Sequence, residues 1–597
     1  MKKFIIGIDT GGTYTDAALI DAESCAVIAT AKEPTTHYHL ATGTGHVLAA
    51  LLQSSGVAPS DIGQLAVSTT LATNAVVEGK GARVALFVIG YVKHFRLPVA
   101  AVVFIKGGHT IQGTEEEPLD FENLVDTVQG LAHDVDAYAV CGAMSMENPT
   151  HEQVAEKAIS MIDPKPVFCS HRISQQAGMR ERAATAALHA KLMPLMQDYI
   201  AGIQVAMINQ GLSCPVVIIG GNGQTVSIDQ AVERAGVTVA SGPACTAHFG
   251  SLQTSGDALV IDVGGTTTDI AIIEGGRPQL APDGCQIGEW QTHVEAIDMF
   301  TAGIGGDSHV LIDDSGELRI GPNRVVPLCM AAAAGRSSSI NGASDTEASM
   351  PCVPGSRGIR PSLAVAATAS ALPQASEWLG AGALGRCIGL VSEEDMEEME
   401  EGLDDPVISF LRQHGPSTPA AIRTATGMSS VPLEKHLEGL AREQLTFECG
   451  FTPTDALHVL ARIHLGNREA AMDGAAVLAR IKGVDPEQFC LEVLRLTEKK
   501  IEDLIIDYII HRYWGQSLTS FIASRNSHPV LGLDFSLKIP LIGIGAAARY
   551  LLPGVAKRLG TSVTFPEHCE VGNAVGAALL GKGASALSMS LAETARQ

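Results

Sequence analysis

One eight-residue pattern, D-x-G-G-T-x-T-D, occurs twice in this chain and constrains its fold more than any bulk property does. The first copy runs Asp9-Thr10-Gly11-Gly12-Thr13-Tyr14-Thr15-Asp16. The second runs Asp262-Val263-Gly264-Gly265-Thr266-Thr267-Thr268-Asp269, an offset of 253 residues (262 minus 9). Apolar runs flank both, FIIGI and AALI around the first, ALVI and IAII around the second. An apolar run ended by Asp and paired glycines reads as a buried strand entering a tight turn, so each copy predicts a β-hairpin. Two hairpins of one design predict a duplicated domain.

A chain of 597 residues is too long for one core, since cores stop growing near roughly 250 to 300 residues. Strand-like VALFVIG (84–90), AYAVCGAM (137–144) and PVVIIGG (215–221) alternate with helical stretches such as 181–209, which predicts α/β architecture. Residues 335–362 are rich in Ser, Gly and Pro and read as a surface loop. Residues 393–405 (EEDMEEMEEGLDD) hold nine acids and read as a solvated helix start. Residues 404–448 contain three short amphipathic segments with turns at Gly415-Pro416 and Gly427 to Pro432, the pattern of a small winged-helix-like insert. The division that follows is 1–240, 241–334, 335–403, 404–448, 449–570 and 571–597.

Charge excludes several partners. Lys and Arg number 41 against 65 Asp and Glu, a formal net charge of −24, so the field of the molecule repels polyanions. No nucleic-acid or membrane partner is expected. The insert itself sets four bases (Arg412, Arg423, Lys435, Arg442) against six acids, the wrong balance for a DNA reader. No run of about 18 apolar residues occurs, and Asp9 interrupts the apolar start after five residues, unlike a signal peptide. The twelve cysteines are scattered without a C-x-x-C pair, which fits free thiols and a cytoplasmic location.

Chemistry concentrates at the hairpins. Paired glycines expose backbone N–H groups that can surround phosphate oxygens, and they let the phosphate approach where a Cβ would obstruct. Gly11, Gly12, Thr13 and Thr15 in one copy and Gly264, Gly265, Thr266 and Thr268 in the other are the candidate nucleotide-binding residues. Asp9 and Asp262 cannot favourably face a phosphate alone; each is suited to orient water around a Mg²⁺ that offsets triphosphate charge. A single Gly-Gly-Thr turn is ordinary, whereas two in matching context point to one nucleotide held from both sides. Near residue 545, PLIGIGAAARYLLPGVAKRLG (540–560) reads as strand, turn and helix, and Gly543 and Gly545 would let a base and ribose lie on the backbone. VGNAVGAALL (571–580) and SGPACTAHFGS (241–251) are helices of small residues suited to close packing at a hinge. His293, Glu295, Asp298, Asp307 and His309 form a polar set open to metal binding, cleft lining or ordinary roles. Asp455 in PTDALHVL reads as a helix cap or a cleft residue.

The order of these elements resembles the actin-like ATPase superfamily of sugar kinases, Hsp70 and actin. More specifically, IGIDTGGTYTDAALID, STTLATNAVVEGKGARVAL (68–86), NPTHE (148–152), ER (181–182), SGPA (241–244), IDVGGTTTDIAII and PTDALHVL (453–460) look like the hydantoinase/oxoprolinase family, in its ATP-handling, hydantoinase A-like subunit. The resemblance implies an α/β fold of two actin-like (ribonuclease H-like) domains around a nucleotide cleft, with a small mostly helical insert. It implies ATP and Mg²⁺ as cofactors and a cyclic amide or lactam substrate, activated by phosphorylation of its carbonyl oxygen and then hydrolysed. Thr69, Thr70, Asn74, Asp307 and His309 are the positions expected at the substrate. A separate hydantoinase B-like subunit and an oligomeric assembly are expected partners. A regulatory ATPase and a small-molecule kinase are the alternatives. Two departures bear on the substrate: the family often has His-Gly where this chain has Val67-Ser68, and GAGGGS where this chain has GIGGDS (303–308).

Overall fold

The computed structural model describes residues 3–594 except 13, 36–39, 78–79, 91–92, 174–177, 283, 288–289, 314, 335–385, 391–404, 443–444, 465, 516–518 and 525–532. Two compact units emerge. The first holds Met1–Gly256, Ala271–Met299 and Val571–Gln597; the second holds Asp257–Ile270 and Phe300–Glu570. The loop expected at 335–362 and most of the acidic run at 393–405 lie outside the described residues.

In the first unit, β1 (Phe4–Thr10), β2 (Tyr14–Asp21) and β3 (Val27–Pro34) form an antiparallel meander. Helix α1 (Leu40–Ser55) follows, then β4 (Ile62–Thr69), which pairs in parallel with β1. Helix α2 (Leu71–Val77) leads into a second sheet of β5 (Val84–Ile89), β6 (Ala101–Ile105), β7 (Ala137–Gly142) and β8 (Val167–Cys169), in the order β6-β5-β7-β8 and parallel throughout. Parallel pairing needs crossovers. Helices α3 (Phe121–Leu131) and α4 (Thr150–Ile162) supply two of them. The 31-residue α5 (Met179–Asn209) returns the chain to the first sheet, where β9 (Val216–Ile219) and β10 (Thr225–Ser227) complete the order β10-β9-β4-β1-β2-β3. The unit continues through α6 (Ile228–Glu233) and α7 (Ser241–Ser251).

Helix Gly572–Thr594 belongs to this unit although it lies far along the chain. Its small side chains explain the fit: a Cβ added at Gly7 would fall on the Ala574 carbonyl oxygen, and one added at Gly576 would fall on the Cys245 carbonyl oxygen of α7. The two small-residue helices therefore pack against each other, and the second also packs on β1.

In the second unit, β11 (Ala258–Val263) pairs in parallel with Leu541–Ile544, which pairs in parallel with Val563–Thr564. The second hairpin turns into β12 (Thr268–Glu274), which starts here and continues into the first unit. Helix Ala548–Arg558 follows the 541–544 strand. Helix Pro486–Trp514 begins at Asp485, whose side chain accepts from Gln488 N, and ends at Gly515 with φ 66°, a left-handed stop suited to glycine. The three amphipathic segments of the insert are helices Pro406–His414, Pro419–Thr426 and Ser430–Arg442, with breaks at Gly415 and Gly427. They enclose Val407, Ile408, Leu411, Ile422, Leu433 and Leu437 against the antiparallel strands Arg386–Leu390 and Thr446–Gly450.

Candidate active site

The two hairpins close with the same bond. Gly11 N donates to Tyr14 O at 2.9 Å, and Gly264 N donates to Thr267 O at 3.0 Å, equivalent positions of the repeated pattern. At the first position of the first turn a Cβ at Gly11 would lie 2.9 Å from Tyr14 O, whereas one at Gly264 would meet Thr267 O at 3.5 Å, an ordinary contact. At Gly12 an added Cβ would lie 3.0 Å from Asn74 Nδ2, so the backbone here approaches a donor side chain closely.

Asp9 is the penultimate residue of β1 and is 2% exposed. Strand register sets it in a polar row: Lys32 opposes Asp16, Asp16 opposes Asp9, and Asp9 opposes Ser68. Ser68 Oγ donates to Asp9 Oδ1 at 2.6 Å, and Asn573 Nδ2 donates to Oδ2 at 3.1 Å. Lys32 Nζ neutralises Asp16 at 2.7 Å. Burial pushes the Asp9 carboxyl above its ordinary range, and the Ser68 and Asn573 bonds partly counter it.

Thr69, Thr70 and Asn74 gather at the same turn. Thr70 N donates to Thr10 O at 3.0 Å, and Asn74 Nδ2 reaches Thr70 Oγ1 at 3.2 Å. Thr69 is fully buried, its backbone exchanging bonds with Ser241 Oγ at the start of α7. Thr15 is buried too, its hydroxyl 3.1 Å from that of Thr35, which in turn donates to Gly11 O. Its counterpart Thr268 donates to Ile304 O at 2.7 Å. Both hydroxyls thus brace their turns. Thr13 lies outside the described residues.

In the second unit, segment 304–307 lies along the hairpin, with Gly306 N donating to Gly264 O and Asp307 N to Gly265 O. The Asp307 carboxylate occupies the space a Cβ at Gly265 would take, and accepts from Thr454 Oγ1 at 3.2 Å. Thr266 sits half-buried in the turn. Asp262 is 9% exposed and its Oδ1 lies against Gly545, whose φ of 90° suits glycine. A Cβ added at Gly543 would meet the Phe565 ring and Leu552. His309 is buried on strand Ser308–Ile312.

The polar set between 293 and 309 divides: His293, Glu295 and Asp298 belong to the first unit, Asp307 and His309 to the second. Glu295 reaches Asn222 at 3.3 Å, and burial lowers the His293 pKa. Asp455 is a cap. It accepts from Thr452 N in its own capping box and from Leu328 N and Cys329 N, which open helix α8 (Leu328–Ala334).

Sequence reasoning missed two groups. Asn573, a lone polar residue in a small-residue run, is one. The other is a buried network at the ends of β7 and β8. Glu152 accepts from Gly142 N, Ser170 Oγ, His171 N and His171 Nδ1 at 2.6 to 2.9 Å, with the Arg182 guanidinium 3.6 Å away. Burial alone would raise the Glu152 pKa; the bonds outweigh it and hold it below the ordinary value. The NPTHE and ER strings thus meet in space. Glu152, Cys169 and His171 place ligand-type atoms within 4.8 Å of one another, yet both carboxylate oxygens are already engaged by donors, the signature of a structural network.

Two models of one family cover matching stretches, the hydantoinase/oxoprolinase N-terminal region at 5–162 and hydantoinase/oxoprolinase at 182–339. The chain belongs to the hydantoinase/oxoprolinase family. Similar members include a caprolactamase subunit alpha from Pseudomonas jessenii, 28% identical over 361 residues (54% of this chain, 50% of that one). An acetophenone carboxylase gamma subunit from Aromatoleum aromaticum is 27% identical over 364 residues (53% and 49%). The chain thus matches about half the length of these curated relatives. A nucleotide-free acetone carboxylase structure superposes with TM-score 0.63 at 17% identity, covering 97% of this chain and 70% of that one. The chain therefore shares the α/β fold of that structure. No helix among the described residues is long and apolar enough to cross a membrane.

Proposed function

We propose that this chain is the ATP-handling component of an enzyme that activates a small cyclic amide or lactam for hydrolysis. The observation that carries the reading is the pair of hairpins, closed by one equivalent bond and each preceded by a buried aspartate. Gly11, Gly12, Gly264 and Gly265 would approach the phosphates through backbone N–H groups, with Gly545 beside the ribose. Asp9 and Asp262 would hold water on Mg²⁺; the Gly12 turn, which a side chain would fill, and the buried carboxylate beside it fit such a group. Bound Mg²⁺ offsets the charge of the triphosphate and of the transferring phosphoryl group. Thr70 and Asn74 at the first turn, and Asp307 and His309 in the second unit, are assigned to the substrate.

An amide is a poor electrophile because nitrogen donates into the carbonyl. In the proposed sequence its oxygen attacks the γ-phosphorus and ADP departs, giving a phosphorylated imidate. Water then adds to the carbon, the C–N bond breaks as the nitrogen takes up a proton, and a second water attacks the carbonyl carbon of the resulting acyl phosphate, so that phosphate leaves with the former carbonyl oxygen. The similarity to a caprolactamase supports this route. The carboxylase relatives support a second reading, in which the same oxygen activation prepares a ketone for carboxylation.

The test uses a lactam labelled with ¹⁸O at its carbonyl. Label is expected in inorganic phosphate. Label retained wholly in the organic product rules out oxygen phosphorylation and supports a regulatory ATPase. Label in a stable organic phosphate indicates a kinase.

A further inference from the structure

We infer that Ser68 and Asn573 are positioning residues that fix the orientation of the Asp9 carboxylate; this deepens the reading above, since it rests on Asp9 serving Mg-ATP. A carboxylate that holds metal-bound water must keep its oxygens in place before the ligand arrives. Here each oxygen is held by a different part of the chain. Parallel pairing of β1 with β4 puts Ser68 directly beside Asp9, and Ser68 Oγ, fully buried, donates to Oδ1 at 2.6 Å. Helix Gly572–Thr594 brings Asn573 to Oδ2 at 3.1 Å.

The Asn573 amide has one usable orientation. An ionised carboxylate only accepts, so the NH₂ must face Asp9, and the amide oxygen then accepts from Thr246 Oγ1 on α7. Thr246 therefore sets Asn573, and Asn573 sets Asp9. Gly242 completes the enclosure from the first turn of α7, where an added Cβ would lie 3.0 Å from Asp9 Oδ1. On the neighbouring strand Asp16 opposes Asp9 and pairs with Lys32 at 2.7 Å.

Ser68 and Asn573 thus hold the Asp9 carboxylate at both of its oxygens.

The test compares full-length wild type with Ser68→Ala, Ser68→Gly, Asn573→Ala and Asp9→Ala, titrating a non-hydrolysable ATP analogue by calorimetry over a series of MgCl₂ concentrations. Losing one hydrogen bond to a charged group is expected to raise the Mg²⁺ concentration for half-maximal analogue affinity by about tenfold. In an Asp9→Asn background, Ser68→Ala should add no further shift, because its partner charge is gone. A merely structural role would lower the thermal midpoint and leave the Mg²⁺ dependence alone. If the Ser68 and Asn573 variants bind with wild-type Mg²⁺ dependence while Asp9→Ala loses it, the positioning role is overturned and the ATP reading stands. If Asp9→Ala is itself unaffected, both fall.

Discussion

At the scale of single residues, the buried acids have separate duties and separate tests. Asp9→Ala and Asp262→Ala are each expected to reduce ATP-dependent turnover by a factor of at least about 10² while circular dichroism stays unchanged, in line with loss of a charge-stabilising group. Near-normal turnover in either variant would break the assignment of both hairpins to one reaction. Asp455 predicts a pH effect on stability. Burial raises its pKa from 3.8 to about 6, above its unfolded value, so the folded state favours the protonated form. Its contribution is present below about pH 4 and is lost as pH rises to about 6, a change on the order of 3 kcal/mol. Urea midpoints of wild type minus Asp455→Asn should therefore fall over that window and level off above it. The Asp455 cap was readable from its position at a helix start, because capping is local. The donors around Asp9 were not, since Ser68 arrives through strand register and Asn573 from 564 residues away.

At the scale of elements, the repeated hairpin is the feature most fully written in the sequence: strand, turn and strand lie together within Phe4–Asp21 in one copy and Ala258–Glu274 in the other. The helices of the insert were legible for the same reason, each carrying its own amphipathic spacing and the first two ending at a glycine. The network around Glu152 was not, because its members come from β7, α4, β8 and α5 and share no spacing pattern. Glu152→Ala is expected to destabilise the first unit by about 3 to 5 kcal/mol, since it strands the buried Arg182 guanidinium. Packing between helices offers a sharper test. Gly576→Ala drives a methyl onto the Cys245 carbonyl, a backbone atom that cannot swing aside, and should cost on the order of 3 kcal/mol. A thermal midpoint equal to wild type would mean that α7 and helix Gly572–Thr594 are not held at this distance.

At the scale of the whole molecule, a net charge of −24 gives a field that repels polyanions, which accords with the proposal of chemistry on a small substrate. The match to about half the length of its curated relatives motivates a final expectation. Lactam-dependent ADP release by this chain should rise when a separately produced hydantoinase B-like subunit is added, and an unchanged rate over a range of molar ratios would remove that partner. The fold class was legible because strands and helices alternate. Which segments share a unit was not, because that depends on where residues 571–594 return.

That return governs the order in which the protein can be completed. Residues up to Gly256 leave the ribosome carrying β1 with its Asp9, yet the helix that covers Gly7 and supplies Asn573 follows about three hundred residues later. At roughly 5 to 20 residues per second, that gap lasts on the order of 15 to 60 seconds. During it the newborn first unit has a bare strip of glycine and alanine where a helix belongs, and the second unit must be threaded out before the strip is covered. The contacts around Asp9 are therefore completed last, so a chain broken off before residue 573 would present the first hairpin without one of the two groups bonded to its carboxylate.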